Sequence, residues 1–272
     1  MARLRISTSQ QPLSPMNRRA KLVVAYDGAS FHGFAANDGV RTVVGVLREA
    51  MEKVVRQPVE LVGAGRTDAG VHAWGQVVSC DLPDDLDLDA LERRVNRMCA
   101  PTVVLRSTAW AESPDFNARF GGTWRHYRYD VWNSARPNPF LAPTSWHIAQ
   151  PLSMPALQLA CDPLIGEHDF SSFCRRPKVA AGQPEPSMIR RVMLARWSAV
   201  PTDHGDGLLR FEIRANAFCH QMVRSIVGTM VDAGVGRVHA GEIRGILLGK
   251  DRHAAGQVAP PQGLCLWEVG YE

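Results

Sequence analysis

The run Gly63-Ala64-Gly65-Arg66-Thr67-Asp68-Ala69-Gly70-Val71-His72-Ala73 sets one carboxylate and one guanidinium among three glycines and three alanines. Small residues let a backbone turn sharply and let a second molecule come close. Apolar runs, Val59 to Val62 and Val71 to Val78, lead in and out, so the run reads as a tight loop between two strands. A carboxylate on such a loop can act as an acid or base, a metal ligand or a nucleophile, and Asp also caps turns. Residues two apart in an extended segment point the same way. Arg66 and Asp68 are therefore expected to face one site, with the guanidinium keeping the carboxylate ionised. No second carboxylate stands nearby to complete a metal site, and an Asp68–His72 pair lacks a third ligand. Asp68 is read as a catalytic nucleophile.

Two further stretches carry polar groups in unusual settings. In Phe116-Asn117-Ala118-Arg119-Phe120 and Trp124-Arg125-His126-Tyr127-Arg128-Tyr129, basic and aromatic side chains alternate. On a strand, Trp124, His126 and Arg128 share one face, and Arg125, Tyr127 and Tyr129 the other. Arginine beside tyrosine suits a phosphate contact next to a base-stacking surface; an ordinary half-buried strand gives the same alternation. The run Phe218 to Ala233 is apolar nearly all round, which predicts a buried helix. It carries His220, Arg224 and Gly228 as an i, i+4, i+8 stripe. A buried arginine must be paired. Asp68 is a candidate partner, and Gly228 is expected to open space for the guanidinium.

The elements that must position these residues follow from periodicity and turn chemistry. Strands are expected at Lys21–Tyr26, Val59–Val62, Gln76–Asp81 and Val103–Trp110, with helices over Arg41–Arg56 and from Leu88 to Met98. That order is β-α-β-β-α-β, the ferredoxin-like unit. It repeats as a strand over Trp124–Trp132, a helix over Met154–Leu164, strands over Met188–Val200 and Leu208–Ala215, the Phe218–Ala233 helix, a short helix over Glu242–Leu248 and a strand over Leu264–Tyr271. The fold class is α+β, with two such halves and a cleft between them, where ligands commonly bind. Residues 21–115 form the N-terminal half with the Asp loop and 116–272 the C-terminal half with the Tyr and Arg. Residues 1–20 are expected to be a disordered leader, with Arg18 and Arg19 available to touch RNA.

Composition narrows the setting. No apolar run reaches the eighteen or so residues a membrane helix needs, and Met1 to Ala20 has no signal-peptide core. The six cysteines contain no CxxC pair, which argues against zinc and against a disulfide framework. Free thiols without an export signal fit the cytoplasm. The net charge of +4 is mild, but 27 Arg stand against 4 Lys, and arginine presents a planar fork suited to phosphate.

Taken in order, these motifs resemble the tRNA pseudouridine synthase A family, from about Tyr26 to Leu266. Ala64 to His72 resembles its catalytic motif, Phe116–Phe120 and Arg125–Tyr129 its middle motifs, Asn216 to Arg224 its buried-arginine helix and Gly263-Leu264-Cys265-Leu266 its C-terminal motif. The resemblance implies a pseudouridine-synthase-type core without metal or organic cofactor, acting as a homodimer on the anticodon arm of tRNA. It makes Asp68 the nucleophile toward uridine and Arg224 its partner. Tyr127 would stack on the target base and help remove the C5 proton. Arg66 would hold the flipped nucleotide, and Leu264 or Leu266 would wall the base pocket. Arg119, Arg125 and His220 join Arg66 as expected RNA contacts. The family often carries Gly-Trp-Gln-Arg-Gln where this chain has Gly33-Phe34-Ala35-Ala36-Asn37, so that loop is expected to grip RNA differently. His126 also stands where an arginine is common. A non-catalytic tRNA-binding or chaperone protein of the same fold would have no need of the Asp68, Tyr127 and Arg224 set. A retaining glycosidase would need a second carboxylate beside Asp68.

Overall fold

The structure is a computed structural model and describes residues 16–176, 182–183, 185–203 and 205–271. Ten strands make one mixed sheet. β1 (Asn17–Tyr26), β3 (His72–Pro83) and β4 (Val103–Trp110) build its N-terminal part, with the short β2 (Val62–Gly63) on β3. β5 (Trp124–Asn133), β7 (Gly166–Asp169), β8 (Ile189–Ala199), β9 (Leu208–Ala215) and β10 (Leu264–Gly270) build the rest, with β6 (Trp146–Ile148) on β5. The order is β4-β1-β3-β10-β5-β9-β8-β7. The seam is a short parallel pairing, Cys265 opposite His72 and Leu266 opposite Ala73.

The helices are α1 (Val43–Val55), α2 (Leu88–Cys99), α3 (Met154–Leu159), α4 (Met222–Gly234) and α5 (Ile243–Gly249). Local chemistry sets their ends. The Thr42 hydroxyl accepts from Gly45 N–H and the Asp87 carboxylate from Ala90 N–H, as N-caps do; α1 stops where Arg56 turns left-handed. Leu22, Val24 and Val78 of the sheet pack with Leu47, Met51, Leu91 and Val95 of the helices. Tyr129, Phe211 and Ile213 pack with Leu157, Ile226 and Met230 in the same continuous core.

Two expectations about element ends are corrected. β1 begins at Asn17, inside the stretch read as a leader. Arg19 there forms an ion pair with Asp81 at 2.7 Å and donates to the Phe116 carbonyl, and Arg18 lies 5.1 Å from the Trp110 ring centre. Strand pairing to Leu82 and Asp81 holds that segment; residues 1–15 lie outside the described ones. The Met154 helix stops at Leu159, and a separate single turn, Asp162–Leu164, follows it.

The sheet face away from Tyr127 and Tyr129 is polar. Strand alternation turns His126 and Arg128 to that side, where both meet Glu212, at 3.4 and 3.0 Å, together with Arg196. Glu212 is 4% exposed. Burial alone would raise its carboxyl, but the hydrogen bond and charge of Arg196, then the charges of Arg128 and His126, outweigh that and hold it below its ordinary value. A carboxyl depressed on folding stabilises the native state above its unfolded pKa and loses that stabilisation as pH falls through its folded one. Glu212→Gln should therefore lower Tm at pH 7 and flatten the decline in Tm below about pH 4.5. An acid limb of the melting curve identical to wild type would contradict this.

Candidate active site

The Asp68 loop is held from both sides. Ala64 N–H donates to the Val77 carbonyl at 2.8 Å, and the Gln76 amide donates to the Gly65 carbonyl at 2.9 Å. The Tyr26 and Thr67 hydroxyls lie 2.8 Å apart, both buried. Phe34 N–H reaches the Thr67 carbonyl at 3.1 Å, and Val71 N–H closes a turn onto the Asp68 carbonyl at 3.2 Å. Gly28 sits where any Cβ would strike the Val71 carbonyl. Phe34 stacks on Tyr26 with centroids 6.0 Å apart and fills the space over Gly63. It supports the loop from beneath and, with Ala35, Ala36 and Asn37, lines the cleft. His72 lies under the loop's exit: its Nδ1 accepts from Gly28 N–H at 3.1 Å, and its Nε2 lies 3.2 Å from the Pro143 carbonyl. It is a strut.

Asp68 meets its counter-ion from the far half of the chain. Arg224 Nη1 donates to Asp68 Oδ2 at 3.1 Å, and the Arg224 side chain is only 14% exposed. The guanidinium is itself fixed, since Nε donates to the Ala259 carbonyl at 2.7 Å while Ala259 N–H donates to the Arg224 carbonyl at 3.0 Å. Gly228 explains that embrace differently from the sequence expectation. A Cβ there would overlap the Gln257 carbonyl, so the glycine admits the 256–259 strap against α4, and the strap holds the arginine. The stripe is corrected as well. α4 begins at Met222, because Gln221 is left-handed at φ 63°, so His220 stands in the preceding turn. Its Nε2 still lies 3.4 Å from Asp68 Oδ1. The two carboxylate oxygens thus have different partners.

A cleft of about 1120 Å³ opens over this pair. Tyr127 lines it at 8% exposure, its ring edge-on to Phe218 with centroids 5.0 Å apart. Burial, then the Asp68 charge, pushes its phenol well above the ordinary tyrosine range. Leu264 lines the cleft, whereas Leu266 is fully buried. Arg66, Arg119 and Phe120 are exposed along its rim. Among the described residues no ion pair joins Arg66 to Asp68; Arg224 fills that role. Arg125 is a clamp. Its four terminal N–H groups go to the carbonyls of Gly122, Asn216, Ala64 and Arg119 at 2.7 to 3.2 Å, which leaves no terminal donor for RNA. No group of three metal-ligating side chains stands together among the described residues.

A model of the family described as tRNA pseudouridine synthase matches residues 22–120 and 160–272. The chain belongs to the tRNA pseudouridine synthase family. It is 40% identical over 262 residues to tRNA pseudouridine synthase A of Gluconobacter oxydans, covering 94% of this chain and 90% of that one. It is 37% identical over 255 residues to the protein of the same name from Geotalea daltonii, covering 93% and 100%. For the Bacillus subtilis protein of that name the identity is 34% over 256 residues, covering 93% and 99%. An isomerase family thus accounts for the α+β core. Among the described residues no helix is long and apolar enough to cross a membrane.

Nothing in the residue pattern singled out the roles of Tyr26, Thr67, Gln76 or Ala259. Tyr26 and Gln76 read as strand residues, Thr67 as a member of the loop motif with no role of its own, and Ala259 acts through its backbone alone. If the strap positions Arg224, Gly228→Ala should lower Tm through a steric cost of about 1–3 kcal/mol and reduce turnover more than tRNA affinity. Unchanged turnover in thermal and steady-state assays would show that the strap does not set the arginine.

Proposed function

We propose that this protein isomerises uridine to pseudouridine in the anticodon stem-loop of tRNA, with Asp68 as nucleophile. The observation that carries the reading is the carboxylate of Asp68, partly open to a large cleft and held at Oδ2 by a guanidinium that the protein backbone fixes. Arginine stays charged at any working pH, so a fixed positive charge faces Oδ2, while Oδ1 lies 3.4 Å from His220 Nε2. The attack on uridine breaks the bond between N1 and C1′; the uracil turns in the pocket and C5 bonds to C1′. Tyr127 and Leu264 wall the base, and Arg66 and Arg119 at the rim meet phosphate. A target about positions 38 to 40 must leave its stack, at a few kcal/mol, and phosphate contacts along the basic rim offset part of that. The protein works in the cytoplasm as a homodimer.

The test uses tRNA carrying tritium at uracil C5. Wild-type protein should release tritium from uridines of the anticodon arm and from no other arm. Release from none of the arms would overturn the isomerase reading, and release confined to another arm would overturn the assignment of target. Light scattering at micromolar protein should give twice the 30.0 kDa chain mass; a monomer would remove the dimer.

A further inference from the structure

The run Phe116-Asn117-Ala118-Arg119-Phe120 holds two phenylalanines four residues apart, and the fold treats them oppositely. Phe116 packs against the core beside Tyr271, with ring centroids 5.0 Å apart. Phe120 stands in solvent at 78% exposure, and among the described residues no large apolar side chain is more open. A single exposed apolar residue is ordinary on a protein surface. Phe120 differs in its place and in its support. It lines the cleft over Asp68, where the other phenyl and phenol rings, Phe34, Tyr127 and Phe218, are buried or half-buried. The turn beneath it is tied down by its own polar groups. Asn117 Oδ1 accepts from the backbone N–H of Arg119 at 3.0 Å and of Phe120 at 3.2 Å. Ala118 N–H donates to Ser79 Oγ of β3 at 3.1 Å, and Tyr271 Oη donates to the Ala118 carbonyl at 2.8 Å. The Arg125 guanidinium binds the Arg119 and Ala64 carbonyls at once, so one side chain ties this turn to the loop that carries Asp68.

We propose that Phe120 is a stacking platform for the tRNA base next to the uridine that leaves its stack, an inference that rests on the reading above that tRNA occupies this cleft. When a nucleotide flips out, its neighbour in the strand loses a stacking partner. Tyr127 and Leu264 wall the inner part of the cleft, and Phe120, at the rim, meets the base that stays behind. An open phenyl ring offers that base a π-face without requiring any one hydrogen-bond pattern, so the platform accepts any of the four bases. Its backbone is held before RNA arrives, so docking costs little more than the freedom of one short side chain. The Arg119 guanidinium carbon lies 5.4 Å from the Phe120 ring centre. A phosphate-binding fork thus stands beside a stacking face, the combination that suits a nucleic-acid strand with an unpaired base. A second copy of the chain is the rival occupant of an exposed ring. Arg66 and Arg119, exposed on the same rim, are like charges that favour a polyanion there.

The test joins photo-cross-linking to an affinity series. tRNA carrying 5-iodouridine on each side of the target uridine in turn is irradiated with wild-type protein, and the adduct is mapped by mass spectrometry of its peptides. One of the two positions should give an adduct on Phe120. Replacing a base-stacking aromatic costs roughly 5- to 150-fold in affinity. Phe120→Leu, apolar but without a π-face, should raise the Kd for tRNA within that range and leave both Tm and the slope of log Kd against log salt as in wild type. Phe120→Trp should bind as tightly as wild type or tighter. Arg119→Ala, by contrast, should reduce the salt slope by about one. The proposal is overturned by Phe120→Leu that binds like wild type, by Phe120→Trp as weak as Phe120→Leu, or by adducts that map only elsewhere. A fall in the light-scattering mass of Phe120→Leu would give the ring to a second copy and overturn it as well. If Phe120→Leu does not fold, the adduct in wild type decides. Wild-type protein that releases no tritium fails the reading of the reaction, a result separate from these, none of which needs turnover.

Discussion

One ion pair joins two distant parts of this chain. Asp68 and Arg224 are 156 residues apart in sequence and 3.1 Å apart in space. Arg224 is too buried to stand unpaired, because an uncompensated charge inside a protein costs several kcal/mol. The carboxylate, for its part, must be open enough to meet a substrate. The fold reconciles the two demands by burying the arginine in α4 and lifting the aspartate on a loop from the other half. The pairing of β3 with β10 joins both parts into one sheet and helps bring the two residues together. Each half therefore supplies half of the site, and the cleft is a property of the whole chain.

Everything around the pair restricts motion. Tyr26, Gln76 and Phe34 fix the loop from the side of β1 and β3. Arg125 ties the Ala64 carbonyl to the 119–122 turn and to Asn216. The Ala259 strap fixes the guanidinium. Such a network holds the Asp68 carboxylate in place before a substrate arrives, which is where positioned groups gain most over free ones. His220 is placed by its backbone, and its ring stays half in solvent.

Much of this was legible in the sequence. The small-residue loop announced Asp68, and periodicity located the strands Val103–Trp110 and Leu208–Ala215 with the bounds they have in the structure. The buried arginine in an apolar run pointed to a distant acid. What escaped had physical reasons. Arg125 looked like a phosphate contact because a guanidinium that reaches four carbonyls is written the same way as one that faces RNA. Gly228 looked like room for a side chain, yet it admits a backbone whose closeness no spacing rule encodes. The left-handed Gln221 broke an apparently continuous helix, since non-glycine residues take that conformation seldom and leave little mark in composition.

The proposed chemistry turns on the charge at residue 68. Asp68→Asn keeps the size of the side chain and can still accept from Arg224, but it removes the carboxylate that the proposed reaction requires. The deciding measurement is tritium release from C5-labelled tRNA in a single turnover by Asp68→Asn protein, with tRNA binding measured in the same sample. Normal folding, retained binding and no release above background are expected. Release at a rate near wild type would contradict the proposed chemistry.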